Sequence, residues 1–164
     1  MFKKIAMSAP VLALAFVSSA ALAVPQTHTI QVFADVPSAD FYVQPVNHDT
    51  VAKPQQLLWN NTTSKLEGIS RNFNVKSSVA TGVAPAIKAT LLDPAVMSSG
   101  AEDIQLEVKF NNIALTLASE VQVVAADAAT TEIIAALSIT PIEPTGGYKE
   151  GNYTGNVRVL FDAP

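Results

Sequence analysis

Between Ile104 and Phe110 the chain alternates without exception. Ile104, Leu106, Val108 and Phe110 are apolar, while Gln105, Glu107 and Lys109 are polar. A period of two puts successive side chains on opposite faces of an extended strand, so one face suits a core and the other suits water. Asn111-Asn112 follows, and the alternation resumes at Ile113, Leu115 and Leu117. Asparagine tolerates positive φ better than most residues, so this pair predicts a tight two-residue hairpin. The same period recurs over residues 41–46, 56–60, 69–77, 86–92, 120–125, 133–140 and 153–162, separated by turn residues. In the last run Tyr153, Gly155, Val157, Val159 and Phe161 share one face. Residues 133–137 are also compatible with a helical turn, because Ala and Leu favour helix. Repeated short strands in one domain-sized chain predict an all-β sandwich of immunoglobulin-like kind.

Composition narrows the chemistry. The 164 residues are 49% hydrophobic and 15% charged, which argues against disorder. A net charge of −4 gives nucleic acid no basic patch. With no Cys and two His, thiol catalysis, disulfide frameworks and zinc fingers are excluded. His28 and His48 flank expected strands, and no Gly-x-Ser-x-Gly elbow accompanies them, so no catalytic residue is assigned. Glu102-Asp103 lacks the spacing of a calcium loop and reads as a solvated turn, and no metal ligand or cofactor site is assigned. Trp59 and Tyr148 are compatible with stacking on a sugar, but a lone Trp in a sandwich is expected in the core.

The first 23 residues read as a signal peptide. Lys3-Lys4 precedes an apolar run from Ile5 to Val17, and Ala21-Leu22-Ala23 supplies a small-x-small cleavage pattern, which places the cut between Ala23 and Val24. The apolar run is shorter than the roughly 20 residues that span a bilayer. An exported domain without cysteine must hold together by packing and strand pairing alone, or with help from another chain.

Residues 24–37 stand apart from the rest. Ile30, Val32, Ala34 and Val36 alternate with Thr29, Gln31, Phe33 and Asp35. Pro37 lacks a backbone donor and restricts the residue before it, so it marks a strand end or hinge. On the residues alone this is a first strand packed at home or an extension that completes a neighbour.

The mature start at Val24 with Ile30-Gln31-Val32-Phe33-Ala34-Asp35-Val36-Pro37 carries a resemblance. So do Leu57-Leu58-Trp59 before Ser64-Lys65-Leu66-Glu67, and the hairpin Val108-Lys109-Phe110-Asn111-Asn112. The end matches best, with Glu150-Gly151-Asn152-Tyr153-Thr154-Gly155 leading into Val157-Arg158-Val159-Leu160-Phe161. Nearly the whole mature chain thereby resembles the major pilins of the alternate chaperone–usher pathway, the alpha-class fimbriae of colonisation-factor-antigen type. Pro25 and the Asn-Asn turn depart from that pattern and bear on the length of the extension.

The resemblance implies an incomplete immunoglobulin-like sandwich over residues 38–164, completed by a donor strand from the neighbouring subunit. It implies that Ile30, Val32, Ala34 and Val36 are the plugs of that strand and Pro37 its hinge. Val157, Val159 and Phe161 would be a wall of the acceptor groove. Its implied partners are identical pilins in a homopolymer, a periplasmic chaperone, an outer-membrane usher, a tip adhesin and a host-cell receptor. The implied location is the cell surface, reached through the periplasm, and no enzyme activity is implied. The alternative from the residues is a monomeric exported sandwich that binds a ligand or glycan. A cysteine-free fold is expected to be indifferent to reductant: melting curves with and without excess dithiothreitol should superimpose.

Overall fold

A computed structural model describes residues 40–78, 82 and 84–164. The expected donor residues Ile30, Val32, Ala34 and Val36, the hinge Pro37 and the cleavage pair Ala23 and Val24 lie outside these.

Alternation is converted directly into a two-layered sandwich. The larger sheet contains β1 (Phe41–Pro45), β4 (Ile69–Ser77), β10 (Ile133–Pro141), β7 (Asp103–Phe110), β6 (Val96–Ser98) and β11 (Thr154–Gly155), in that spatial order and with every pairing antiparallel. β8 (Ile113–Ala114) adds to the far end of β7. The smaller sheet has β5 (Ile87–Leu91) at its centre, between β12 (Val159–Asp162) and β9 (Val121–Val124). A separate hairpin joins β2 (Trp59–Asn60) to β3 (Lys65–Leu66), and two single-turn helices, α1 (Asp49–Ala52) and α2 (Ala126–Ala129), sit in connections.

The core lies between the sheets and is made of the predicted inward faces. Phe73 and Val75 of β4, and Ile104, Leu106, Val108 and Phe110 of β7, meet Ile87, Ala89 and Leu91 of β5 and Val123 and Val124 of β9. Phe110 is fully buried and touches an aromatic ring in each layer. Its centroid is 5.9 Å from Phe73 in its own sheet and 4.7 Å from Phe161 in the other, both tilted edge to face. That arrangement suits the ring quadrupole better than a parallel sandwich.

Asn111 and Asn112 form the expected tight turn, with φ of 50° and 63°. The first also anchors the turn to its surroundings: its side-chain amide donates to the Val123 carbonyl at 2.8 Å. Residues 133–137, for which a helical turn was the other reading, belong to β10, where Ile133 lies opposite Val75 and Leu137 opposite Arg71. Packing between β4 and β7 overrides the helical preference of Ala135 and Ala136.

The single strand expected over residues 153–162 is two strands in different sheets. β11 pairs with β6, the chain leaves the ladder at Asn156, and β12 pairs with β5. Changing sheets at the rim of a sandwich requires a close crossing, and Gly155 supplies it. A Cβ there would lie 2.2 Å from the Val96 carbonyl oxygen and 3.0 Å from the Met97 Cα. Since neither backbone atom can yield cheaply, Gly155→Ala is expected to destabilise the domain by about 1–3 kcal/mol, the range for forced overpacking. A lowered midpoint in urea at unchanged slope would register this loss.

Candidate functional site: an apolar groove along the C-terminal segment

The core is not equally covered on all sides. A groove of about 780 Å³ opens over the inward face of the larger sheet. Its floor is built by alternate residues of neighbouring strands: Ile69, Arg71 and Phe73 of β4, Leu137 and Ile139 of β10, with Leu106 and Met97 beyond. Register explains the continuity, because Ile139 lies opposite Ile69 and Leu137 opposite Arg71. One wall is Tyr153–Val157; the other is the segment Thr50–Gln55 with Leu57.

Of the acceptor residues expected from sequence, Val157 lines the groove directly. Val159 and Phe161 continue its line and pack, half-buried, against the core. Their ladder partner is β5, and among the described residues β12 has no strand on its other edge. The structure therefore brings the three together along one partly covered margin.

The sequence reading did not assign the floor. Its signal was present in the alternation of β4 and β10, but an inward-facing Ile or Leu reads as ordinary core until the opposite layer is known to stop short. Arg71 was also missed. It stands half-buried on the inward face, where hydrogen bonds offset the desolvation of its guanidinium. Its Nε donates to Gln55 Oε1 at 2.8 Å and its Nη1 to the Ser70 carbonyl at 2.9 Å. Gln55 in turn donates to the carbonyls of Asp49 at 2.8 Å and Lys53 at 2.9 Å. The chain around α1 is thereby tied to β4 and held as the groove's second wall.

Electrostatics fastens the other wall. Arg158, immediately before β12, is hydrogen-bonded and ion-paired to Asp93 in the loop after β5. The Leu92 N–H donates to the Arg158 carbonyl at 3.0 Å. Hydrogen bonding to Arg158 holds the Asp93 carboxyl below its usual 3.8 against the opposing effect of desolvation, with a further contribution from the guanidinium charge. The guanidinium is raised by the same hydrogen bond.

Trp59, expected in the core, is instead 46% exposed on the β2–β3 hairpin. Two adjoining strand residues are too short a scaffold to carry a large indole inward. It meets the ring of Tyr148 edge to face at 5.7 Å.

A family model described as CS1 type fimbrial major subunit matches residues 26–162. The chain belongs to that family: it is a structural subunit of a surface fimbria. Among solved structures, eight chains match, including the CooA pilin subunit from enterotoxigenic Escherichia coli. That pilin is 18% identical, and the superposition covers 73% of this chain and 86% of the pilin at a TM-score of 0.57. The likeness shows the immunoglobulin-like sandwich. No curated protein sequence matches.

The Asp93–Arg158 pair yields a pH dependence with a definite sign. A carboxyl depressed in the folded state contributes stability that is present above its unfolded pKa and lost as pH falls through the folded one. Asp93→Asn should lower the melting temperature at neutral pH, and its gap from wild type should close below pH 3.8. A gap that stays constant across a pH series would show that the ion pair contributes nothing to holding β12.

Proposed function

We propose that this pilin polymerises by donor-strand exchange, with residues 24–37 of one subunit filling the groove of the next. The observation that carries the reading is the apolar groove walled by Tyr153–Val157, the segment that leads directly into β12, whose outer edge has no strand among the described residues. Strand addition to such an edge gains affinity from backbone hydrogen bonds and specificity from alternate side chains in pockets. Ile30, Val32, Ala34 and Val36 have the required spacing and apolar character. The floor offers apolar partners at matching alternate positions in Ile69, Phe73, Leu137 and Ile139.

The energetic scale is large enough to matter. Burying a large aliphatic side chain is worth roughly 1.5–3 kcal/mol, so Ile30, Val32 and Val36 would together supply about 5–9 kcal/mol before entropy is subtracted. A domain's whole stability is roughly 5–15 kcal/mol. The strand thus decides whether the subunit stays folded. The contact is head to tail and does not close on itself, so repetition gives a filament.

The same reading extends to assembly. Residues 1–23 direct export, Ala23 and Val24 flank the cleavage site, and Pro37 is the hinge between extension and sandwich. A periplasmic chaperone covers the groove before polymerisation, an outer-membrane usher hands subunits on, and a tip adhesin caps a fibre that supports attachment to a host-cell receptor. Support for these partners comes from the family, whose members are fimbrial subunits.

The test is made on the plugs. Val32→Asp and Ile30→Lys each put an unpaired charge into an apolar groove. Both variants should be exported and captured by the chaperone, whose own strand fills their groove, while fibre yield falls to background in electron micrographs. Wild-type fibre yield from either variant would refute the donor role.

A further inference from the structure

A second concavity lies outside the groove, between the β2–β3 hairpin and the loop that leads to β11. Its volume is about 450 Å³, within the range of small-ligand sites. Trp59 and Tyr148 stand almost perpendicular, at 87°, and form an aromatic corner whose indole is half exposed. Leu66, Ile104 and Tyr153 add apolar lining, and the exposed Lys149 and Glu150 stand on the rim.

The corner is held from both sides. Lys65 of β3 pairs with Glu143 at the start of the loop, at 2.8 Å. The Tyr153 hydroxyl donates to the Lys149 carbonyl at 3.1 Å. Those contacts occupy Lys65 and Glu143 but leave the charged ends of Lys149 and Glu150 outside every ion pair among the described residues. Burial raises the Tyr148 phenol above its usual value, so at neutral pH it is a hydrogen-bond donor.

We propose that this aromatic corner is a saccharide-binding site for a neutral pyranose. A pyranose presents C–H groups on one face and hydroxyls around its edge, and the cleft offers the complement. The half-exposed indole offers an apolar surface to the C–H face. The rim supplies an acceptor at Glu150 and a donor at Lys149, and bonds from sugar hydroxyls to charged groups are stronger than neutral ones.

Other occupants fit less well. The Glu150 carboxylate opposes a phosphate or an acidic sugar. A second copy of the chain seated flat on the rim would desolvate Lys149 and Glu150 together, at a cost that only paired partners could offset. The cleft shares one lining residue, Tyr153, with the groove.

Trp59 is the only tryptophan of the chain, so intrinsic emission reports on this cleft alone. Assembled fibres are titrated into the millimolar range with galactose, glucose, fucose and N-acetylglucosamine. At least one sugar should shift the emission saturably. Glu150→Gln and Lys149→Met alter exposed groups and should leave fibres and circular dichroism unchanged. Each should weaken that sugar about tenfold, the effect of one charge-assisted hydrogen bond. The proposal is overturned if no sugar gives a saturable shift, or if both variants bind as wild type. It is equally overturned if acrylamide quenches Trp59 in chaperone-bound subunits but not in fibres, since a neighbouring subunit then covers the cleft.

Discussion

The contact between Phe110 and Phe161 carries the architecture. Phe110 belongs to the most regular strand of the larger sheet, and Phe161 to a four-residue strand of the smaller one. Edge-to-face pairs add about 0.5–1.5 kcal/mol to the stabilisation from burial. Here that contact holds β12 in a layer where β5 is its ladder partner. Toward Val157 the chain has just left β11 to change layers. The groove begins there. An aromatic bridge at one end of the C-terminal segment and a sheet-to-sheet crossing at the other bracket the stretch with Val157 and Val159, which packs against the core only in part.

How much of this could be read from the residues depends on distance along the chain. β4 has the limits that alternation alone assigns, Ile69 to Ser77, because β10 pairs with it from Ile69 to Val75 and β1 from Phe73 to Ser77. The Asn111-Asn112 hairpin was equally legible, since the requirement for positive φ is local. The break between β11 and β12 was not. Thr154, Gly155 and Val157 keep perfect alternation, and only the approach of the Val96 carbonyl reveals that the chain is crossing layers. β3 and β6 escaped for a related reason: with two and three residues they do not repeat the period, and their partners define them.

The groove was legible on one side only. Val157, Val159 and Phe161 read as a wall because a resemblance supplied the idea of a missing neighbour. Their half-burial is what a strand with one open edge should show. The floor stayed hidden because sequence reports which residues prefer an interior, not whether a second layer arrives to make one. Ile69 and Leu137 are written in the same pattern as Val75 and Ala135, yet the latter pair is buried and the former remains partly open. Arg71 breaks the apolar pattern at the one place where a side chain from another segment, Gln55, meets it.

Tyr153 joins the two concavities. Its ring lines both the groove and the aromatic cleft, and its hydroxyl fastens the loop carrying Lys149. The residue immediately before β11 is held by three different demands: apolar contact with the core, a hydrogen bond to a loop carbonyl, and the neighbouring crossing at Gly155. A side chain constrained this way transmits position rather than adapting to it, because packed interiors resist continuous deformation. The segment Tyr153–Val157 therefore walls the groove along its length and meets the aromatic cleft at Tyr153. A chain with no cysteine holds both concavities by packing and hydrogen bonding alone.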